Sequence, residues 1–204
     1  MKEKITLIIV DLQYDFYSPS GTLCVQGGHD AANKIKEMVL NGNDLISNVI
    51  FTVDWHPSNH CSFKENGGQW PMHCVQYSQG AAIHPSVLNA VIGMEIPYKV
   101  YCKGEDSKKE EYGAFSKYME QLDIEAHYDN LVVCGIAGDY CVLETLKNIK
   151  DFTDNVKVYL PGVASIDGGE RLKEYMKDNK VEEFNYALTN CNYRNISKEI
   201  SRIR

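Results

Sequence analysis

Residues 131–146 read LVVCGIAGDYCVLETL, and the change of pattern inside this stretch decides the fold class. Leu131, Val132, Val133 and Cys134 form a short continuous apolar run, which suits a strand covered on both faces. Gly135 and Gly138 bracket a tight turn, Asp139 offers an N-cap, and Val142, Leu143, Leu146 and Ile149 then recur at helical spacing. Cys141 is therefore expected in the first turn of a helix, where free N–H groups and the positive helix end favour a thiolate and could hold an oxyanion. A cysteine that only packs in the core is the simpler reading of such a residue. A strand, a glycine turn and a helix start are, however, where open α/β sheets place their chemistry.

Working outward, the same grammar repeats. ITLIIV at 5–10 is an all-apolar run of strand length that stops at Asp11, and VIFTV at 49–53 stops at Asp54. Pro97 to Cys102 is a further candidate strand, ending at Lys103-Gly104, and Val156 to Leu160 another, closed by Pro161-Gly162. Val181 to Leu188 reads as a final edge strand because of its Glu182-Glu183 pair. Between these runs, residues 13–28 read as a loop, Asp30 caps a helix to about Leu40, and residues 110–122 and 169–177 have helical periodicity. A basic tail from Tyr193 reads as a terminal helix. Strands alternating with helices predict an α/β fold, a three-layer α/β/α arrangement around a mostly parallel sheet. Asp11, Asp54, Lys103 and the Cys141 turn then share the carboxyl edge of that sheet, where such folds bind ligands.

The bulk properties agree with one globular domain spanning 1–204. The chain has 204 residues, 44% hydrophobic and 24% charged, enough to bury a sizeable core. A formal charge of -7 argues against nucleic acid or an anionic membrane as main partner. No stretch approaches the ~20 apolar residues of a membrane span. The start, MKEKITLIIVDLQ, is interrupted at Asp11 before a signal peptide is complete. Seven scattered cysteines, an odd number, suit reduced thiols and a cytoplasmic protein.

Asp54-Trp55-His56 places a carboxylate and an imidazole two residues apart, on one side of an extended strand end, and His60 and His73 follow in a polar loop. Such a set suits Zn²⁺, Fe²⁺ or Mn²⁺ and leaves coordination positions open. A closed zinc site of His56, His60, Cys61 and Cys74 competes with it. The open Asp/His/His site is preferred, because the cysteines lack the short paired spacing of structural zinc motifs. A buried cysteine beside a lysine and a carboxylate fits acyl transfer from an amide: the cation favours the thiolate and the carboxylate moves the proton.

In these residues the chain resembles the isochorismatase-like cysteine hydrolases, and within them most closely the nicotinamidase (pyrazinamidase) branch. The resemblance is carried in order by VDLQYDF, TVDWHPSNHCSF, WPMHCVQYSQGAAIHP, KGEDSKKEEYGAF and CGIAGDYCVLET. It implies a six-stranded, Rossmann-like sheet and a triad of Cys141 as nucleophile, Asp11 as general base and acid, and Lys103 as stabilising cation. It also implies Asp54, His56 and His73 as metal ligands, with His60 ligating in only some members, and a metal that holds the pyridine nitrogen of nicotinamide. Phe16 and Trp70 match aromatic residues flanking the substrate ring. Ile136-Ala137 matches a cis peptide that forms an oxyanion hole with the N–H of Cys141. Two departures touch specificity: Gly138-Asp139 stands where relatives usually carry Thr-Asp, and Glu-Glu-Tyr-Gly-Ala-Phe where they often carry Asp-Ser-Tyr-Ser-Ala-Phe.

The expected activity is hydrolysis of nicotinamide to nicotinate and ammonia, with pyrazinamide as a possible second substrate, a divalent metal (Zn²⁺ first) and a homo-oligomeric state. Two alternatives stand beside it. One is a related amidase acting on a ureido or carbamoyl amide, which the Asp/His/His set argues against. The other is a non-catalytic metal or redox protein with Cys141 as a sensor thiol, which would need no acid-base partner.

Overall fold

The computed structural model describes residues 4–42, 44–115 and 130–186. Six strands, β1 (Ile5–Val10), β2 (Ile46–Asp54), β3 (Tyr98–Lys103), β4 (Leu131–Ile136), β5 (Val156–Ala164) and β6 (Glu182–Glu183), form one sheet in the order β3-β2-β1-β4-β5-β6. Every neighbouring pair is parallel. Among the described residues the α-helices are α1 (Tyr14–Tyr17), α2 (Gly28–Asn41), α3 (Pro85–Gly93), α4 (Cys141–Lys150) and α5 (Glu170–Asp178). No described helix is long and apolar enough to cross a membrane.

The continuous apolar runs form strands because both faces of the sheet are covered. All six residues of β1 are buried, and their alternation divides them between two cores. Leu7 and Ile9 pack with Ile35, Met38 and Val39 of α2 and Val87 and Val91 of α3. Ile8 and Val10 pack on the other face with Val142, Leu146 and Ile149 of α4 and Leu172 and Met176 of α5. The chain winds from β1 outward to β3, then returns to β4 and winds the other way. The strand order thus reverses between β1 and β4, the crevice where doubly wound sheets bind ligands. Gly135 lets the two strands approach there: a Cβ at this position would lie 2.0 Å from the Val10 carbonyl oxygen, and its φ is 121°.

Several expectations are corrected. The segment 13–28 contains the single helical turn α1. α2 starts at Gly28 behind Gly27, not at a side-chain cap from Asp30. β2 begins three residues before Val49, and β5 continues through Pro161-Gly162 to Ala164. The register shift between Val133 and Gly135 lets β5 keep pairing past the proline. α3 was not anticipated, although Pro85 starts it and Val87, Ala90 and Val91 line its buried face. Residues 110–115 are not helical, and the rest of the helix expected to residue 122 lies outside the described residues. Only Glu182–Glu183 of the final strand is formed among the described residues, and Ala187, Leu188 and the tail from Tyr193 lie outside them.

Candidate active site

Asp11 directly follows β1, Asp54 and Lys103 end β2 and β3, and Cys141 opens α4 after β4. Parallel pairing puts Asp54 and Lys103 in register with each other. The four side chains meet in the crevice described above, all buried. Lys103 Nζ lies 2.8 Å from Asp11 Oδ2 and 3.6 Å from Cys141 Sγ, and it also donates to Asp54 Oδ1. The contact with Asp11 Oδ2 is a close ion pair that falls short of hydrogen-bond alignment.

Asp54 is fixed from its main chain. Gln13, fully buried, accepts from Asp54 N–H (2.7 Å) through Oε1 and donates through Nε2 to the Asp54 carbonyl (2.8 Å) and the Ala81 carbonyl (3.0 Å). The amide satisfies both backbone groups of the last residue of β2, beyond the final β1–β2 pair at Val10 and Thr52, where they would otherwise be orphaned. With the backbone held, the two carboxylate oxygens divide: Oδ1 meets Lys103, while Oδ2 faces His56 Nε2 at 3.5 Å and His73 Nε2 at 3.8 Å.

The electrostatics follow from burial of like and unlike charges. Burial pushes the Cys141 thiol well above the ordinary thiol range; Lys103 pulls it down, but the Asp11 and Asp54 carboxylates add to the rise. Burial likewise raises the Asp11 carboxyl against the pull of Lys103. Burial alone would lower the Lys103 ammonium, yet the two carboxylates hold it well above the usual lysine range. For Asp54 burial acts upward, but Lys103 and then His56 outweigh it and hold the carboxyl below its ordinary value. Lys103 thus favours the thiolate, while burial and the two carboxylates oppose it. Asp139 does not cap α4. Its carboxylate accepts from the Ile166 and Asp167 N–H groups at 2.9 and 3.2 Å, and Tyr140 takes the cap position.

Asp54, His56 and His73 form a buried group whose ligand atoms lie within 4.8 Å of one another. Their donors suit a metal. His56 Nδ1 is 2.9 Å from the Gly104 carbonyl and His73 Nδ1 is 2.8 Å from the Pro71 carbonyl. A carbonyl only accepts, so both Nδ1 atoms carry a proton, and Nε2 of each ring, once deprotonated, is the atom that can ligate beside Asp54 Oδ2. Gly104 has φ 65°, and a Cβ there would lie 2.3 Å from the His56 ring, so the carbonyl reaches the imidazole only from a glycine. His60 differs: its Nε2 donates to the Lys109 carbonyl (3.0 Å), and its Nδ1 meets Ser62 Oγ (2.7 Å) and accepts from Ser62 N–H (3.2 Å). Neither nitrogen is left for a ligand. The closed alternative with Cys61 and Cys74 is not assembled, since the Cys74 thiol points at the Gly80 carbonyl, 3.7 Å away, and neither cysteine belongs to the cluster.

Beside Cys141 opens a cleft lined by the expected Phe16, Trp70 and Ala137 together with His73 and Asp54. Phe16 sits 5.5 Å from the His73 ring. The Ile136-Ala137 peptide is cis. The Ala137 carbonyl accepts from Tyr140 N–H (3.1 Å) and Val142 N–H (3.0 Å), on either side of Cys141. Among the lining residues that the sequence did not point to are Tyr112 and Tyr140. Trp70 packs edge-on against Tyr140 at 5.1 Å and donates from Nε1 to Tyr112 Oη at 3.0 Å. Their aromatic character within the blocks 103–115 and 134–145 was the available signal.

A family model described as Isochorismatase domain matches residues 6–179. The nicotinamidase of Escherichia coli is 32% identical over 185 residues, covering 78% of this chain and 83% of that protein. Among solved structures, the yeast nicotinamidase bound to the inhibitor nicotinaldehyde superposes with a TM-score of 0.79 at 25% identity, over 91% of this chain and 100% of its own. The pyrazinamidase of Pyrococcus horikoshii in complex with zinc gives 0.75 at 29% identity, over 90% and 99%.

Proposed function

The chain belongs to the isochorismatase domain family, and from that premise we propose that it is a nicotinamidase, hydrolysing nicotinamide to nicotinate and ammonia through a thioester on Cys141. The observation that carries this reading is the meeting of Cys141, Lys103 and Asp11 beside an aromatic cleft that Cys141 lines together with Asp54 and His73. In this reading an amide-bearing ring lies between Phe16 and Trp70, with its carboxamide at the thiol and its far edge toward the histidines.

Each residue then has a task. Asp11 takes the Cys141 Sγ proton as sulfur attacks the carboxamide carbon. Lys103 stays charged throughout and offsets the negative charge that passes between Asp11 and sulfur. The N–H groups of Ala137 and Cys141 receive the developing oxyanion. Asp11 returns the proton to the leaving nitrogen, ammonia departs, and a thioester remains. Water then attacks the thioester with Asp11 again as base, giving the carboxylic acid and restoring the thiol. Asp54, His56 and His73 would hold one divalent ion, Zn²⁺ before Fe²⁺ or Mn²⁺. When bound, it supplies a Lewis acid that anchors the pyridine nitrogen.

The test is ammonia release from nicotinamide by the wild type, by Cys141→Ala, and by a chelator-stripped sample shown to be folded. Release by the wild type alone bears the proposal out. A metal-loaded wild type inert on nicotinamide but active on ureido or carbamoyl amides overturns the substrate and keeps the chemistry.

A further inference from the structure

The apolar run of β2 contains one hydroxyl. In Val49, Ile50, Phe51, Thr52, Val53, the threonine is fully buried in a strand whose neighbours on both sides are apolar. A hydroxyl there needs a partner, and the one it has is Asp11: Thr52 Oγ1 donates to Asp11 Oδ1 at 2.7 Å. The Thr52 carbonyl also accepts from Asp11 N–H at 3.0 Å. Asp11 sits at φ 45°, a left-handed conformation that a non-glycine residue adopts against its steric preference. One threonine therefore ties down both the main chain and the side chain of a residue in an unfavourable conformation.

The two carboxylate oxygens of Asp11 end up unlike. Oδ1 is committed to Thr52, whereas Oδ2 lies 2.8 Å from Lys103 Nζ without an aligned hydrogen bond. We propose that Thr52 is a positioning residue for the proton transfer: by pinning Oδ1 it prevents the carboxylate from rotating into a two-oxygen grip on Lys103 and keeps an Oδ2 lone pair for the Cys141 proton. Lys103 carries several N–H donors and a carboxylate can accept two of them, so a free Asp11 has somewhere to turn. The inference rests on the reading of Asp11 as the base that serves Cys141, but not on the identity of the amide.

The experiment compares wild type, Thr52→Val, Thr52→Ser and Asp11→Ala, alone and with Thr52→Val. Valine matches the shape of threonine without the donor, and serine keeps the donor. Two readouts are taken: kcat and KM on nicotinamide, and the rate at which iodoacetamide alkylates Cys141 at one fixed pH, which needs no substrate. Thr52→Val is expected to lower kcat and the alkylation rate by about tenfold or more with KM nearly unchanged, and Thr52→Ser to restore both. On the Asp11→Ala background Thr52→Val should have no further effect on alkylation. Equal alkylation rates in folded wild type and Thr52→Val overturn the proposal. So does failure of serine to rescue, or an equal loss on the Asp11→Ala background, either of which would mean a packing role. Should Thr52→Val not fold, Thr52→Ser and Thr52→Ala are compared in its place with the same criteria. If the wild type releases no ammonia while the alkylation pattern holds, the substrate reading fails and the role of Thr52 stands.

Discussion

Replacing Lys103 with methionine tests the electrostatic core of the site. Methionine has a similar reach and no charge, so it fills the space while leaving Asp11 and Asp54 buried without their shared ammonium, which was 2.8 Å from Asp11. Removing one partner of a buried ion pair costs about 3–5 kcal/mol, because a charge remains in a medium that solvates it poorly. The variant can escape part of this by protonating a carboxylate. Asp11 is the group that will do so: burial already raises it and Lys103 is the main opposing influence, whereas Asp54 keeps His56. A carboxyl raised in the folded state contributes stability that is present below its unfolded value, near 3.8, and lost as pH rises through the folded value. The penalty of Lys103→Met should therefore grow with pH. One proton changes the penalty by at most ~1.36 kcal/mol per pH unit, over the span between the folded values of Asp11 in the two proteins. Urea denaturation of both proteins in chelator, so that no ion replaces the lysine, measures the difference at each pH. A penalty under about 1 kcal/mol, or one that is flat with pH, refutes the picture of two carboxylates dependent on one lysine.

Two further outcomes follow from the geometry. Equilibrated with Zn²⁺ and desalted, the wild type and His60→Ala should each retain about one ion per chain by native mass spectrometry, and His73→Ala should retain none, since the His60 nitrogens are committed to Lys109 and Ser62. Tyr112→Phe removes the acceptor of Trp70 Nε1 and Gln69 Nε2, a loss of about 1 kcal/mol per bond. It should raise KM for nicotinamide by about tenfold with kcat largely kept, and a fall in kcat alone would contradict the assignment of Tyr112 to ring positioning.

What could be read from the chain and what could not divides along physical lines. β1 and β4 were legible because a strand buried on both faces must be apolar throughout. Asp11, Asp54 and Lys103 were legible as polar residues placed directly after or at the end of such runs. The nine-residue α3 was passed over because its apolar face is only Val87, Ala90 and Val91, too short to register as a period. The Gln13 clamp spans 41 residues of sequence, and nothing local to Gln13 or Asp54 announces it. Tyr112 and Tyr140 enter the cleft from separate loops, so their meeting with Trp70 is a product of tertiary folding. That Asp11 and Asp54 share the burial of Cys141 is a product of tertiary folding, and no local pattern carries it.

The placement of Lys103 has a consequence for how activity is lost. β3 is one edge of the sheet among the described residues, hydrogen-bonded to β2 alone, and Lys103 is the one residue of that strand that is buried. An edge strand with solvated flanks opens at lower free energy than the centre of its sheet. The lysine is therefore anchored by charge at the tip of an edge strand. Fraying of this strand would withdraw the ammonium from Asp11, Asp54 and Cys141 while β1 and β4 stay paired, so warming should silence the site well before the fold melts.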